Sequence, residues 1–149
     1  MKKPVMFPVV VLLFWAGFVS SISFMEAWLK FQAEGVTLPV GLSIGVLVFG
    51  ALNLAEWLFL TAVLIYLLTR FRNTGRFPKA GMALVLAILL LQTFWLLPDL
   101  NQQARQIITG LPSERSPAHW IFGILEVIKV ITLIVLAIRW PLHSRSSSA

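Results

Sequence analysis

The chain has no cysteine, only two histidines and only six acidic residues among its 149. Without thiols there can be no disulfide, thiolate metal site, iron–sulfur cluster or thiol redox chemistry. One of the two histidines, His143, sits near the C-terminal tail and leaves His119 alone in the body of the chain. His119 stands two helical turns, about 10 Å, from Glu126, so Glu26, His119 and Glu126 do not converge on a metal, and no haem ligand pair is available. No metal or cofactor is expected. No glycine-rich phosphate loop is present, and no Ser–His–Asp order with supporting context, so the chemistry of soluble enzymes is not indicated. Charge is also scarce: 12% of residues against roughly 25% in an ordinary soluble domain.

In place of charge there are long apolar runs; 58% of the chain is hydrophobic. A span needs about 20 apolar residues to cross a hydrocarbon core of roughly 30 Å. Four stretches qualify: 5–29, 39–69, 80–97 and 117–140. The fold expected is therefore all-α, one polytopic membrane domain built as an antiparallel four-helix bundle, with neighbours in sequence packed together at crossings of about 20°. Prolines sit at the edges of the runs, Pro39 and Pro78 at starts and Pro98 and Pro141 at ends, and Ser116-Pro117 reads as a cap and first helical position. Lys2-Lys3 followed by an apolar run has the outline of a signal peptide, but the run is long, Pro4 and Pro8 open it and the small-residue site is poor, so a retained span is expected.

The 12 basic residues against six acidic ones give a net charge of +6. No basic face interleaved with aromatics lies outside the spans, so nucleic acid is not a partner. Membrane orientation explains the excess. Lys2, Lys3, Arg70, Arg72, Arg76, Lys79, Arg139 and Arg145 fall on one side with no acid among them; Lys30, Arg105 and Arg115 on the other are nearly balanced by Glu34, Asp99 and Glu114. The positive-inside rule then places both termini in the cytoplasm.

Counting from the cytoplasmic anchors gives depth. Glu56 is 14 residues from Arg70, Glu126 is 13 from Arg139 and Gln92 is 13 from Lys79. Three polar side chains on three spans thus share one level, roughly 20 Å in. Lys129, ten residues from Arg139, is too deep for its side chain to reach the interface. Asn53 lies one turn outward of Glu56, His119 two turns outward of Glu126, Ser20 and Ser23 at similar outer depths, and Glu26 near the mouth. The arrangement of lowest energy pairs Lys129 with Glu56, Glu126 or both. Two carboxylates against one ammonium would carry a net negative charge in low dielectric, which a shared proton relieves. A polar seam open to the outside is expected, made of Glu56, Glu126, Lys129, Asn53, Gln92, His119 and Glu26. It would bind or pass a small molecule or protons. Two other readings compete: an accessory subunit whose ion pair only fixes helix contacts, and a membrane enzyme with a cofactor the sequence does not announce. Four helices enclose little space, and a homodimer is compatible with that.

Other features have packing explanations. Gly41 and Gly45 allow close helix approach. Trp28, Trp120 and Trp140 read as interfacial, and Trp15, Trp57 and Trp95 as core. Residues 99–110 carry Leu100, Ala104, Ile107 and Ile108 at helical spacing with Gly110 as a C-cap, which predicts a short amphipathic helix on the outer surface. The tail 144–149 is low in complexity and expected to be disordered.

Several segments together carry a resemblance: Ser23–Phe31 (SFMEAWLKF), Thr37–Gly45 (TLPVGLSIG), Ala51–Glu56 (ALNLAE), Leu96–Leu100 (LLPDL), and Ser116–His119 with Glu126–Lys129. Over most of its length the chain resembles a family of small bacterial four-span membrane proteins without an assigned activity. In layout it is more distantly similar to the transmembrane-protein-205-like and DoxX-like groups, the latter through Lys-Phe after the first span and the glutamate of the second. The resemblance implies that the seven site residues belong together and brings no activity with it.

Overall fold

The computed structural model describes residues 3–112 and 117–143. The expected cap at Ser116, the charges at Lys2, Glu114, Arg115 and Arg145 and the tail from Ser144 lie outside the described residues. Among those described, the structure is helical, with no strand.

Four helices are long and apolar enough to cross a membrane. Helix α1 runs as α-helix over Lys3–Ser20, widens to a π-helical segment at Ser21–Glu26, is α-helical again at Ala27–Leu29 and ends in a 3-10 turn at Lys30–Gln32. Helix α2 is Leu38–Thr69; Thr37 is extended before it and Pro39 falls in its first turn, where no N–H is needed. A 3-10 turn at Phe71–Asn73 leads to α3, which is α-helical over Arg76–Leu91, π-helical over Gln92–Leu96 and α-helical again over Leu97–Ile108. Helix α4 is Ala118–His143.

Two boundaries differ from those expected of the sequence. Pro98 and Pro141 do not end helices. Pro141 lies inside α4, and Pro98 lies in the first turn of the α-helical segment that follows the π-helical one. A proline inside a regular helix clashes with the carbonyl four residues back; the wider π turn just before Pro98 moves that carbonyl away, and the helix passes through. Residues 97–108 therefore extend α3 rather than forming a separate surface helix, and they pack against α2. Gly110, at φ +73°, closes this extension: its own N–H bonds Ile107 O at 3.1 Å and the Leu111 N–H bonds Gln106 O at 2.9 Å, the paired bonds of a glycine-terminated helix.

Helices adjacent in sequence pack together, and α1 closes the bundle by lying along α4. The core is made of Leu12, Trp15 and Val19 from α1, Leu60 and Val63 from α2, Val85 and Leu89 from α3, and Leu133, Leu136 and Trp140 from α4. Aromatic contacts gather one end: Tyr66 meets Phe7 at 6.1 Å and Trp140 at 6.2 Å. Lys79 lies over the Phe71 ring and Arg139 over Phe77 at that same end. The outward faces are apolar too, with Phe14, Leu47, Leu58, Phe94 and Ile138 exposed. A helix apolar all round needs apolar surroundings on every side. Of the tryptophans read as core, Trp15 is, Trp57 is half-buried and Trp95 is exposed, because the π turn at 92–96 rotates it outward; Trp140 is buried.

Close approach of α3 and α4 depends on Gly81, where a Cβ would lie 2.5 Å from Leu136 Cδ2; Gly50 has open space at the same point. Gly81→Val is expected to destabilise the bundle by about 1–3 kcal/mol, as overpacking does, and Gly50→Ala to leave it unchanged. Unfolding titrations in mixed micelles check both.

Candidate functional site

The site is built around one buried ammonium. Lys129 points from α4 into the bundle with no exposed surface, and Glu56, Gln92 and Glu126 beside it are 2%, 1% and 0% exposed. Lys129 Nζ lies 2.5 Å from Glu56 Oε1 and 2.8 Å from Glu126 Oε1, and it donates to Gln92 Oε1 at 2.7 Å. An ammonium has three N–H groups, and each has an acceptor, one from α2, one from α3 and one from α4 itself.

The acceptors are held in turn. Gln92 Nε2 donates to Glu126 Oε1 at 2.6 Å, so the amide bridges ammonium and carboxylate with both of its ends. The Ser23 hydroxyl donates to Glu126 Oε2 at 3.0 Å, and the Trp15 indole N–H donates to Glu56 Oε1 at 3.0 Å. No buried side-chain polar atom among the described residues lacks a hydrogen-bond partner. An unpaired charge in low dielectric would cost several kcal/mol; here every helix supplies part of the compensation.

Both π-helical segments lie at this cluster. Ser23 sits in the one on α1, and Gln92 opens the one on α3. A π turn inserts a residue and rotates the side chains that follow, and such turns gather at functional positions. Here they aim a hydroxyl and an amide at the two ends of one carboxylate, Glu126.

Of the seven residues expected in the seam, the structure brings Glu56, Gln92, Glu126 and Lys129 into one network. Asn53 stands apart: its amide donates to Thr93 Oγ1 at 2.8 Å, next to the Trp57 N–H at 3.1 Å. Glu26 pairs instead with Lys30, one turn on along α1, at 3.2 Å. His119 is exposed, on the rim of a cleft. Trp15, Thr93 and Lys30 were not singled out from the sequence. The signal for Trp15 was available, since an indole N–H in an apolar run must find an acceptor. Thr93 follows Gln92 directly. In the sequence Lys30 reads as a loop charge and as the Lys of the Lys-Phe pair after the first span.

The cleft has a volume of about 250 Å³ and lies between all four helices, on the side of the cluster away from Trp140. Ser23 and Glu126, joined by the hydroxyl-to-Oε2 hydrogen bond, form part of its lining, so the network borders it there. Its walls are largely apolar, with Phe31, Phe49 and Phe122 among them, and Lys30, Asn101 and His119 add polar groups. Gly41 and Gly45 give it width, because a Cβ at Gly41 would meet the Phe31 ring and one at Gly45 would lie 3.1 Å from Lys30 Nζ. Among the described residues no three His, Asp or Glu side chains group as metal ligands. Comparison with protein-family models, with curated protein sequences and with solved structures returned no match.

The network sets a clear order of stability. Lys129→Met leaves two buried carboxylates without their cation and is expected to cost about 3–5 kcal/mol. Trp15→Phe removes one donor and should cost about 1–3 kcal/mol. Adding Glu56→Leu to Lys129→Met should recover much of the larger loss, because fewer charges are then left unpaired. Denaturant titrations of the three variants check the order.

Proposed function

We propose that this chain is a multi-pass protein of a bacterial inner membrane, an antiparallel four-helix bundle with both termini cytoplasmic, whose cleft binds or passes a small ligand or protons. The apolar outward faces and the length of the four helices support membrane insertion. The gathering of Arg70, Arg72, Arg76, Lys79 and Arg139 around one end supports its orientation.

One observation carries the functional reading: the buried charge network does not end in packed side chains but at a cleft, through Glu126. Ionisable groups within a bilayer face such cavities and mark pathways for ions, protons or solutes. Of the buried network, Glu126 is the charged group that lines the cleft. Gln92 and Lys129 then link it to Glu56 on the next helix by continuous hydrogen bonds and ion pairs.

The second reading, a network that only fixes helix contacts in an accessory subunit, draws on the saturation of all its polar atoms. The two separate on Gly123→Leu. Gly123 lines the cleft with nothing within 4 Å of its Cβ position, so a leucine there fills the cleft and leaves the network intact. Native mass spectrometry of protein released from nanodiscs is expected to show a bound adduct, or proteoliposomes to dissipate a pH gradient faster than empty vesicles, and Gly123→Leu and Glu126→Gln are expected to abolish the signal. Neither adduct nor flux, or a signal indifferent to both variants, contradicts the proposal and leaves the structural role.

A further inference from the structure

We infer that the cleft takes a lipophilic organic monocation, such as a quaternary ammonium carrying an aromatic or alkyl group; this rests on the ligand-binding reading above. The sign of the ligand follows from the charges on and around the cleft. Glu26 pairs with Lys30, and Glu56 and Glu126 with Lys129. The group of the buried network that lines the cleft is a carboxylate, Glu126, whose Oε2 accepts a hydrogen bond from the Ser23 hydroxyl.

The walls point the same way. Phe24, Phe31, Phe49 and Phe122 line the cleft, and aromatic faces attract cations within about 6 Å of the ring centre. The chain already seats a cation of its own there. Lys30 Nζ lies 5.5 Å from the Phe31 centroid and 5.6 Å from that of Phe49, resting against Gly45 and paired with Glu26. The cleft is thus built to accept an alkylammonium, and Lys30 shows the pose. An anionic amphiphile would set its charge near Glu126, while the one ammonium that lines the cleft among the described residues, Lys30, is already engaged by Glu26. A hydrated inorganic cation would gain little from walls this apolar.

Lys30 also provides the test, because its removal acts with opposite sign on cations and anions. Full-length protein in lipid nanodiscs would be titrated by calorimetry with benzyltrimethylammonium, with its uncharged isostere neopentylbenzene, and with the anion phenylmethanesulfonate. The cation should bind about tenfold or more tighter than either of the others. Lys30→Met, which removes a like charge and frees Glu26 and two ring faces, should tighten the cation about three- to tenfold. Phe49→Leu should weaken it by a similar factor, and Glu126→Gln by about tenfold. Should Glu126→Gln fail to fold, Lys30→Met and Phe49→Leu, both outside the buried network, carry the test. Weaker cation binding in Lys30→Met, or a preference for the neutral or anionic probe that Gly123→Leu abolishes, overturns the ligand class and leaves the cleft as a binding site. Binding of no probe, together with no native adduct or flux, overturns both.

Discussion

A single buried ammonium organises this protein. Lys129 has no exposed surface, so its charge must be balanced where it stands. Each N–H finds an acceptor, from Glu56, Gln92 and Glu126, on three helices. The fourth helix takes part through Trp15 and Ser23, which hold the carboxylates from the other side. Apolar packing alone would leave the rotation of such helices loosely set, since much of their outward surface is apolar too. Buried polar groups can supply that register.

The need for satisfied hydrogen bonds extends beyond the network. Hydroxyls along the helices bond back to carbonyls of the preceding turn: Ser20 to Ala16 O at 2.7 Å, Thr93 to Leu89 O at 2.7 Å and Thr132 to Ile128 O at 2.7 Å. Thr93 then has its lone pairs free for Asn53 and Trp57, which ties α2 to α3 beside the main cluster. The protein thus has a polar interior in two parts, a charged network reaching the cleft and a neutral cluster apart from it.

Depth was the legible part. Residue counts from basic anchors put Glu56, Gln92 and Glu126 at one level and Lys129 just below, and those four side chains meet. Four long apolar helices were legible too, because length and apolarity define them, although the third runs to Ile108 rather than ending at 97. What the sequence concealed was local winding. The π-helical segments at Ser21–Glu26 and Gln92–Leu96 have no composition of their own. They carry Ser23 and Gln92, both bonded to Glu126, a tertiary arrangement that no periodicity records. Their consequences were hidden with them: Pro98 passing inside a continuous helix, Trp95 turned outward and residues 97–108 lining the cleft rather than lying flat. Glu26 and Asn53, placed outward of that level, have nearer partners in Lys30 and Thr93. Depth alone does not choose among neighbours at one level.

The account stands on a charged Lys129 shared between two carboxylates from different helices. Magic-angle-spinning NMR of protein in lipid bilayers, with ¹⁵N-lysine and ¹³C-glutamate labels, measures this directly through dipolar couplings between nitrogen and carboxyl carbon. An ammonium-shifted Lys129 nitrogen coupled to the carboxyl carbons of both Glu56 and Glu126 is the predicted result. A neutral amine, or a coupling to Glu126 alone, would contradict it.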